Sequence, residues 1–544
     1  MTQSQSVPSR PRHGQRMANQ REQQAQLGQA AKRFVAALDV GTTTVRCHVL
    51  NQAATVVGTA QREVTLLYPK PGRFEIDPEV LWSKVVAVVE EAVTNANLNM
   101  TDVTCMGIST QRCTFITWSK VTGTPFHNLI TWQDIRAAQL VKSWDNSFAV
   151  KVLRGAARVV YWITRKRRFL AGSTLKLMNT QVTLRLLWVL QNVPGLKEAM
   201  RRDEVMFGTF DTYLIWRLSG GRSYCTDPSS AAATGLYDPF TMEWAGWARA
   251  IFRLPASIFP PVGESAGACL AVVAPEIWGA TFPICSSVAD QSAAMFGSCC
   301  FKEGDVKLTM GTGSFLNINT GKTPMGTTLG MYPLVGWKVG SELTYLAESA
   351  SNDTGTIINW ALSCDLIKEP GESSQLATSV PSSGGVYFVP AFSGLQAPIN
   401  DALAAAGFLG ISPSTQKAHL VRALLESVAF RGAQLVQLMH QEIPIPVKGI
   451  RIDGGVSRND FIAQMLADLT GLHVERATTC DHSALGAAFL AGIAAGIWSG
   501  KEELLELRRV EREFVPNSDQ HRVLAAEFEH WQCAVQRFLN WKKP

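Results

Sequence analysis

Two apolar runs, Phe34–Val40 and Val45–Leu50, flank a short polar break, Gly41-Thr42-Thr43-Thr44. Runs of this length around a glycine turn predict two strands joined by a hairpin. Ala53–Glu63 supplies a third strand-like run. Asp77-Pro78 then starts a helix, the acid as N-cap and the proline in the first turn, with Val80, Leu81, Val85, Val88 and Val89 expected on one face. Val103–Ser109 reads as a buried strand, so the order is strand–strand–strand–helix–strand, an α/β pattern. Thr110-Gln111-Arg112 follows at that strand's carboxyl end, where α/β sheets hold ligands.

The device returns later in the chain. Phe282-Pro283-Ile284 opens another buried strand, followed by Asp290-Gln291-Ser292 and a small-residue helix. Val306–Gly321 is again strand, glycine–threonine turn, strand. Gly355 sits at a helix start, and the strand that reaches Asp453 ends in Gly454-Gly455 before a helix from Phe461. Ala484–Trp498 is rich in small residues and suits a buried helix. Two such turns about half the chain apart predict two related domains, each closing on one end of a phosphate chain.

Several of these positions admit two readings from the residues alone. Gly41–Thr44 is a polar hairpin turn, or a nest of backbone amides for a phosphate beside a carboxylate, Asp39, suited to magnesium. Asp290 is a helix N-cap, or a base facing a cleft. Asn459 is a cap, or a hydrogen-bonding partner for a base or ribose. Trp132 and Arg136, in the run that follows Val121-Thr122-Gly123, form a capped turn or line a pocket for a small polar molecule. Asn146–Lys197 holds ten Lys or Arg and no acid, peaking at Arg165-Lys166-Arg167-Arg168. A solvated basic helix over Val150–Trp162 is the expected reading, against a localisation signal or an anionic-membrane patch.

Length and composition set bounds on these readings. At 544 residues the chain needs more than one core. Its 46% hydrophobic and 18% charged content is ordinary for a globular protein, and a net charge of +6 indicates no dedicated nucleic-acid surface. The eleven cysteines show no metal-ligand spacing and read as thiols in a reducing, cytoplasmic compartment. Residues 1–33 are polar and are expected to form a disordered leader rather than a signal peptide. No run of 18 apolar residues predicts a membrane span.

Taken together, the motifs resemble the FGGY carbohydrate kinases, within the actin-like ATPase group, from Phe34 to about Trp541. Asp39-Val40-Gly41-Thr42-Thr43 is similar to the family's first phosphate loop. Ala406–Ile411 with His419-Leu420 and Ala423-Leu424-Leu425-Glu426 matches a family signature over some twenty residues. Ser109-Thr110-Gln111-Arg112, Trp132-Gln133-Asp134, Ala289–Gly297, Met310–Phe315 and Asp453–Asp460 resemble the glycerol kinase subgroup, most of all a divergent vertebrate branch of it.

The resemblance implies two ribonuclease-H-like, actin-like ATPase domains, 34–297 with a basic insertion at 146–197, and 298–541. ATP would bind mainly to the second domain and the polyol to the first, with Mg2+ between them. Asp290 would be the general base, and Asp39 and Asp290 would organise the metal. Thr42, Thr43, Thr44 and Arg46 would face the phosphates, with Gly311 and Thr312 at the β- and γ-phosphates. Gly355, Gly454, Gly455 and Asn459 would form the nucleotide pocket. Arg112, Cys113, Asp290 and Gln291 would meet substrate hydroxyls, and Trp132 and Phe315 its carbons. The implied reaction is ATP-dependent phosphorylation of a small polyol, with glycerol leading. The alternatives are another polyol or sugar, or an ATP-binding regulatory protein. A homodimer is allowed; no nucleic-acid partner is expected.

The chain departs from the subgroup where the polyol would sit. Glycerol kinases follow the substrate arginine with glutamate, and here Arg112 is followed by Cys113. The family's substrate tyrosine falls at Thr180, and its lysine before a tryptophan appears as Arg185 with Trp188.

Overall fold

The computed structural model describes residues 33–479 and 481–542. The expected leader, apart from Arg33, lies outside the described residues.

Two mixed sheets carry the fold. In the first, strands stand in the order 266–272, 283–289, 103–110, 34–40, 44–50, 56–63. Phe34–Val40 and Thr44–Leu50 pair antiparallel as the hairpin expected from their pattern, Thr44–Leu50 pairs antiparallel with Val56–Glu63, and Phe34–Val40 pairs parallel with Val103–Thr110. Pro283–Ala289 continues the parallel set. In the second sheet the order is 332–339, 342–351, 314–319, 306–310, 449–453, 473–477, 510–514. Here too the leading strand, Val306–Met310, forms a hairpin with Ser314–Asn319 and a parallel ladder with Gly449–Asp453. The repetition anticipated from two glycine–threonine turns is therefore topological. In both sheets the turn after the first strand faces the same way as the carboxyl ends of the parallel strands, where α/β sheets bind ligands.

The helix Pro78–Asn95 begins as its residues require: the Asp77 carboxylate accepts from the amides of Glu79 (2.8 Å) and Val80 (3.0 Å). Leu81, Val85, Val88 and Val89 are buried, whereas Val80 is 43% exposed. Position 80 lies in the first turn, on the flank of a buried stripe that runs from Pro78 through Leu81.

The helix His482–Ala494 ties the two sheets together. It follows the second sheet's strand His473–Ala477 but packs on the first sheet and on the helix Asp290–Gly297. Small residues allow the approach: a Cβ added at Gly486 would lie 1.8 Å from the Ala293 carbonyl oxygen, and one at Gly297 would lie 2.1 Å from that of His482. The edge strand Tyr332–Val339 makes a second bridge, where the Ser265 amide donates to the Lys338 carbonyl at 2.8 Å.

Candidate functional site

Asp39 ends the first strand, with Ser109 opposite it on the parallel neighbour. Its Oδ2 accepts from Ser483 Oγ at 2.9 Å, a residue of the helix that follows the second sheet. Its Oδ1 is buried with no protein partner. Burial pushes the Asp39 pKa up, against the Ser483 hydroxyl and the charge of Arg46.

In the turn that follows, the Gly41 amide closes on the Thr44 carbonyl at 2.9 Å. Thr42 Oγ1 donates to Gln111 Oε1 at 3.0 Å and accepts from Trp132 Nε1 at 2.9 Å. The turn is thereby fixed to the segment that begins the expected polyol pocket. Thr43 is exposed, and its Oγ1 lies 3.5 Å from that of Thr44. Arg46 stands opposite Asp39 on the neighbouring strand, and its guanidinium pairs with Asp481, which also meets His48 Nε2 at 3.2 Å.

Asp290 is the first residue of its helix, at the carboxyl end of Pro283–Ala289. Its Oδ1 accepts from the Gln291 amide at 2.7 Å and lies 3.4 Å from Arg112 Nε. Burial raises its pKa to about 6; the Arg112 charge opposes this, and the charges of Asp39 and Glu348 add to it. A carboxyl group tuned in this way can take a proton near neutral pH.

Arg112 is held on both sides. Its Nη2 donates to Glu348 Oε1 at 2.6 Å, and the guanidinium stands 5.9 Å from the centre of the Phe315 ring. Burial works against the Arg112 charge, but Glu348, Tyr332 and Asp290 hold its pKa above the ordinary value. Glu348 is fully buried, receives the Tyr332 hydroxyl on Oε1, and leaves Oε2 unpartnered.

Cys113 takes φ +61° and donates its thiol to the Ala233 carbonyl at 3.1 Å. Burial pushes that thiol up, so it stays protonated. Arg185 fixes the same turn from behind. It is fully buried without a carboxylate, and donates to the carbonyls of Thr131, of Cys113 and Thr180 (both 2.7 Å) and of Gln181 (3.2 Å). Burial lowers its pKa to about 10. One guanidinium thus joins the Arg112–Cys113 turn, the Trp132 segment and the start of the helix Val182–Asn192.

In the second sheet, Gly311 and Thr312 form the tip of the repeated turn. The Gly355 amide donates to the carbonyls of Gly311 (2.9 Å) and Thr312 (3.0 Å). Gly454 has φ +85°, and a Cβ there would lie 2.5 Å from the Met310 carbonyl oxygen, so only glycine brings this strand end against the turn. Gly455 meets nothing within 4 Å and leaves its backbone open. Asn459 caps the helix Asp460–Thr470 by accepting from the Ile462 amide at 3.3 Å, and its Nδ2 donates to Ser373 Oγ at 3.1 Å.

The structure therefore gathers Asp39, Thr42, Arg112, Trp132, Asp290 and Phe315 into one linked group, and Gly311, Thr312, Gly355 and Gly454 into another. Gln291 lies behind the first, its Oε1 accepting from Thr309 Oγ1 (3.2 Å) and Lys307 Nζ (3.4 Å). Lys307 is fully buried and pairs with Asp453 at 3.2 Å. Sequence reasoning missed Glu348, Ser483, the Lys307–Asp453 pair and what Arg185 holds together. Only Arg185 carried a signal, as the arginine standing where the family has lysine.

Known proteins resemble this chain over most of its length. Residues 34–297 match the N-terminal domain of the FGGY family of carbohydrate kinases, and residues 306–495 its C-terminal domain. Glycerol kinase 5 of Homo sapiens is 49% identical over 508 residues, 93% of this chain and 96% of that protein. Glycerol kinase 2 of Thermotoga maritima is 35% identical over 514 residues, 94% of this chain and all of that protein. The crystal structure of Plasmodium falciparum glycerol kinase with ADP superposes with a TM-score of 0.83 at 27% identity, covering 93% of this chain and 98% of that one. With two ribonuclease-H-like sheets of repeated topology and family matches spanning most of its length, the chain belongs to the FGGY family of carbohydrate kinases.

Proposed function

We propose that this chain transfers the γ-phosphoryl group of ATP to a terminal hydroxyl of glycerol, with domains at 34–297 and 298–541 around the reacting groups. The observation that carries the reading is Asp290, with its pKa near 6, beside the Arg112 guanidinium and within the influence of the Asp39 charge.

The roles follow from the chemistry of each group. Asp290 takes the proton from the attacking hydroxyl as the oxygen–phosphorus bond forms. Arg112 donates to a neighbouring substrate hydroxyl, and Trp132 and Phe315 cover the carbons. The Gly41–Thr44 and Gly311–Thr312 turns offer backbone amides and hydroxyls to the phosphates. Gly355, Gly454 and Gly455 let the nucleotide approach the main chain. Phosphoryl transfer asks the protein mainly for position and electrostatics, which a group of fixed polar side chains supplies.

The residues present suit a magnesium ion. Asp39 Oδ1 is buried without a partner, and among the described residues no three His, Cys, Asp or Glu form an all-protein cage, consistent with an ion that keeps most of its waters. Asp39, with Asp290 beyond it, would hold that ion, and when bound it neutralises charge on the phosphates. The ten described cysteines are all free, which supports a reducing, cytoplasmic setting.

A coupled ADP-release assay over a panel of polyols and sugars, run beside Asp290→Asn, tests the proposal. Glycerol-dependent turnover is expected, with a loss of roughly 10²–10⁴-fold in the variant. Nucleotide binding without turnover on any acceptor would replace it with the regulatory reading.

A further inference from the structure

The basic segment reads differently once its helix is seen. Phe148–Thr164 is a 17-residue helix with only Val150 and Ala157 fully turned inward. On its outer side Phe148 is 83% exposed, Val152 49%, Val159 59%, Trp162 72% and Ile163 68%. At 3.6 residues per turn these five fall within one arc of about 100°, the width of a buried stripe, yet nothing among the described residues covers them.

The charges beside that stripe have one sign. Lys151 and Arg158 stand seven residues apart along its edge, and Arg165, Lys166 and Arg167 follow at the turn beyond the helix end. All five are exposed, and among the described residues none forms an ion pair. The cations that are engaged lie on the protein side: Arg154 with Asp145, and Arg168 with Asp238 at 2.7 Å.

We infer that Phe148–Thr164 is an interfacial helix that lays this chain on an anionic lipid surface. An apolar stripe ending in tryptophan, bordered by unpaired Lys and Arg, partitions into the headgroup boundary through buried apolar area and attraction to acidic lipid. Residues 146–197 contain no acid that would repel an anionic surface. The helix lies parallel to the surface it meets, so no membrane span is required. The inference is independent of the kinase reaction.

The full chain would be co-sedimented with phosphatidylcholine vesicles, and with vesicles about one third phosphatidylserine, at low and high salt. Recruitment is expected on the anionic vesicles only, weakening with salt. A Val159→Asp/Trp162→Asp variant should lose it. Lys151→Glu/Arg158→Glu should weaken it at least about twenty-five-fold, since each basic residue near such a surface contributes about fivefold. Both variants alter exposed positions, so thermal unfolding and turnover should match wild type. No recruitment at low salt would overturn the inference. So would recruitment that survives the apolar-face substitutions, or wild-type self-association that the same substitutions abolish, which would assign the stripe to a second copy.

Discussion

Arg112 Nη2 lies 2.6 Å from Glu348 Oε1, across 236 residues of sequence and between the two sheets. The carboxylate is fully buried and half satisfied, since Oε2 has no partner. The pair sets both the position and the charge balance of the group around Asp290. In Glu348→Gln the guanidinium keeps only Asp290 as a charged partner, and Asp290 loses a neighbour that raises its pKa. Removing one charged hydrogen bond costs about 1.5–3 kcal/mol, so kcat/KM for the acceptor is expected to fall about ten- to a hundredfold. The acid limb of the pH profile should move to lower pH. A fall in activity with the limb unmoved would reduce Glu348 to a packing role.

Asp290 gives two pH-dependent outcomes with opposite benefit. As a base it works when ionised, so kcat/KM should fall below an apparent pKa near 6. Its folded pKa lies above the unfolded value, so ionisation opposes folding: stability is complete below about pH 4 and declines as pH rises through about 6. Asp290→Asn should therefore be more stable than wild type at pH 7, by up to about 3 kcal/mol, and lose that advantage at pH 4. Thermal melts of both proteins at the two pH values measure it.

What the chain's pattern announced was local. The hairpin around Gly41–Thr44, its echo at Gly311–Thr312, the cap at Asp77 and the helix that begins at Asp290 are each built from residues a few positions apart, where turn chemistry and apolar runs are readable. Glu348 and Ser483 were not readable, and Arg185 showed only as a departure from the family's lysine. Each is an unremarkable residue in a strand or helix, and each matters only because the fold brings it to Arg112, Asp39 or Cys113. The basic stretch 146–197 shows a further limit. Its helix was expected from its periodicity, but one strand of text cannot say that the apolar stripe faces outward while Val150 and Ala157 face in.

Cys113 offers a gain-of-function test. Its backbone is held at φ +61° by the fold, and Arg185 grips its carbonyl, so the side chain starts from a fixed place between Arg112 and Arg185. Glutamate at this position would add a carboxylate that accepts from a substrate hydroxyl, as the thiol does not. Cys113→Glu is expected to lower KM for glycerol by about tenfold or more, in line with one charged hydrogen bond. An unchanged or higher KM in steady-state assays argues against a glycerol-like pose beside Arg112.

Gly486 tests whether the two sheets communicate through packing. A Cβ there would lie 1.8 Å from the Ala293 carbonyl oxygen and 2.9 Å from the Gly297 amide nitrogen, both main-chain atoms of the helix that Asp290 begins. Neither can swing aside as a side chain would, so the helices must part. The displaced helix also carries Ser483, the hydrogen-bond donor to Asp39. Gly486→Ala should therefore disturb both acids at once, and a shift near 1 Å is enough to cost about a hundredfold in rate. Gly155→Ala is the matched control: its Cβ meets nothing within 4 Å and sits inside an exposed helix. There alanine should add about 0.5–1 kcal/mol of stability and leave turnover unchanged. If Gly486→Ala also left melting temperature and kcat/KM at wild-type values, the small-residue contact would not be what aligns Asp39 with Asp290.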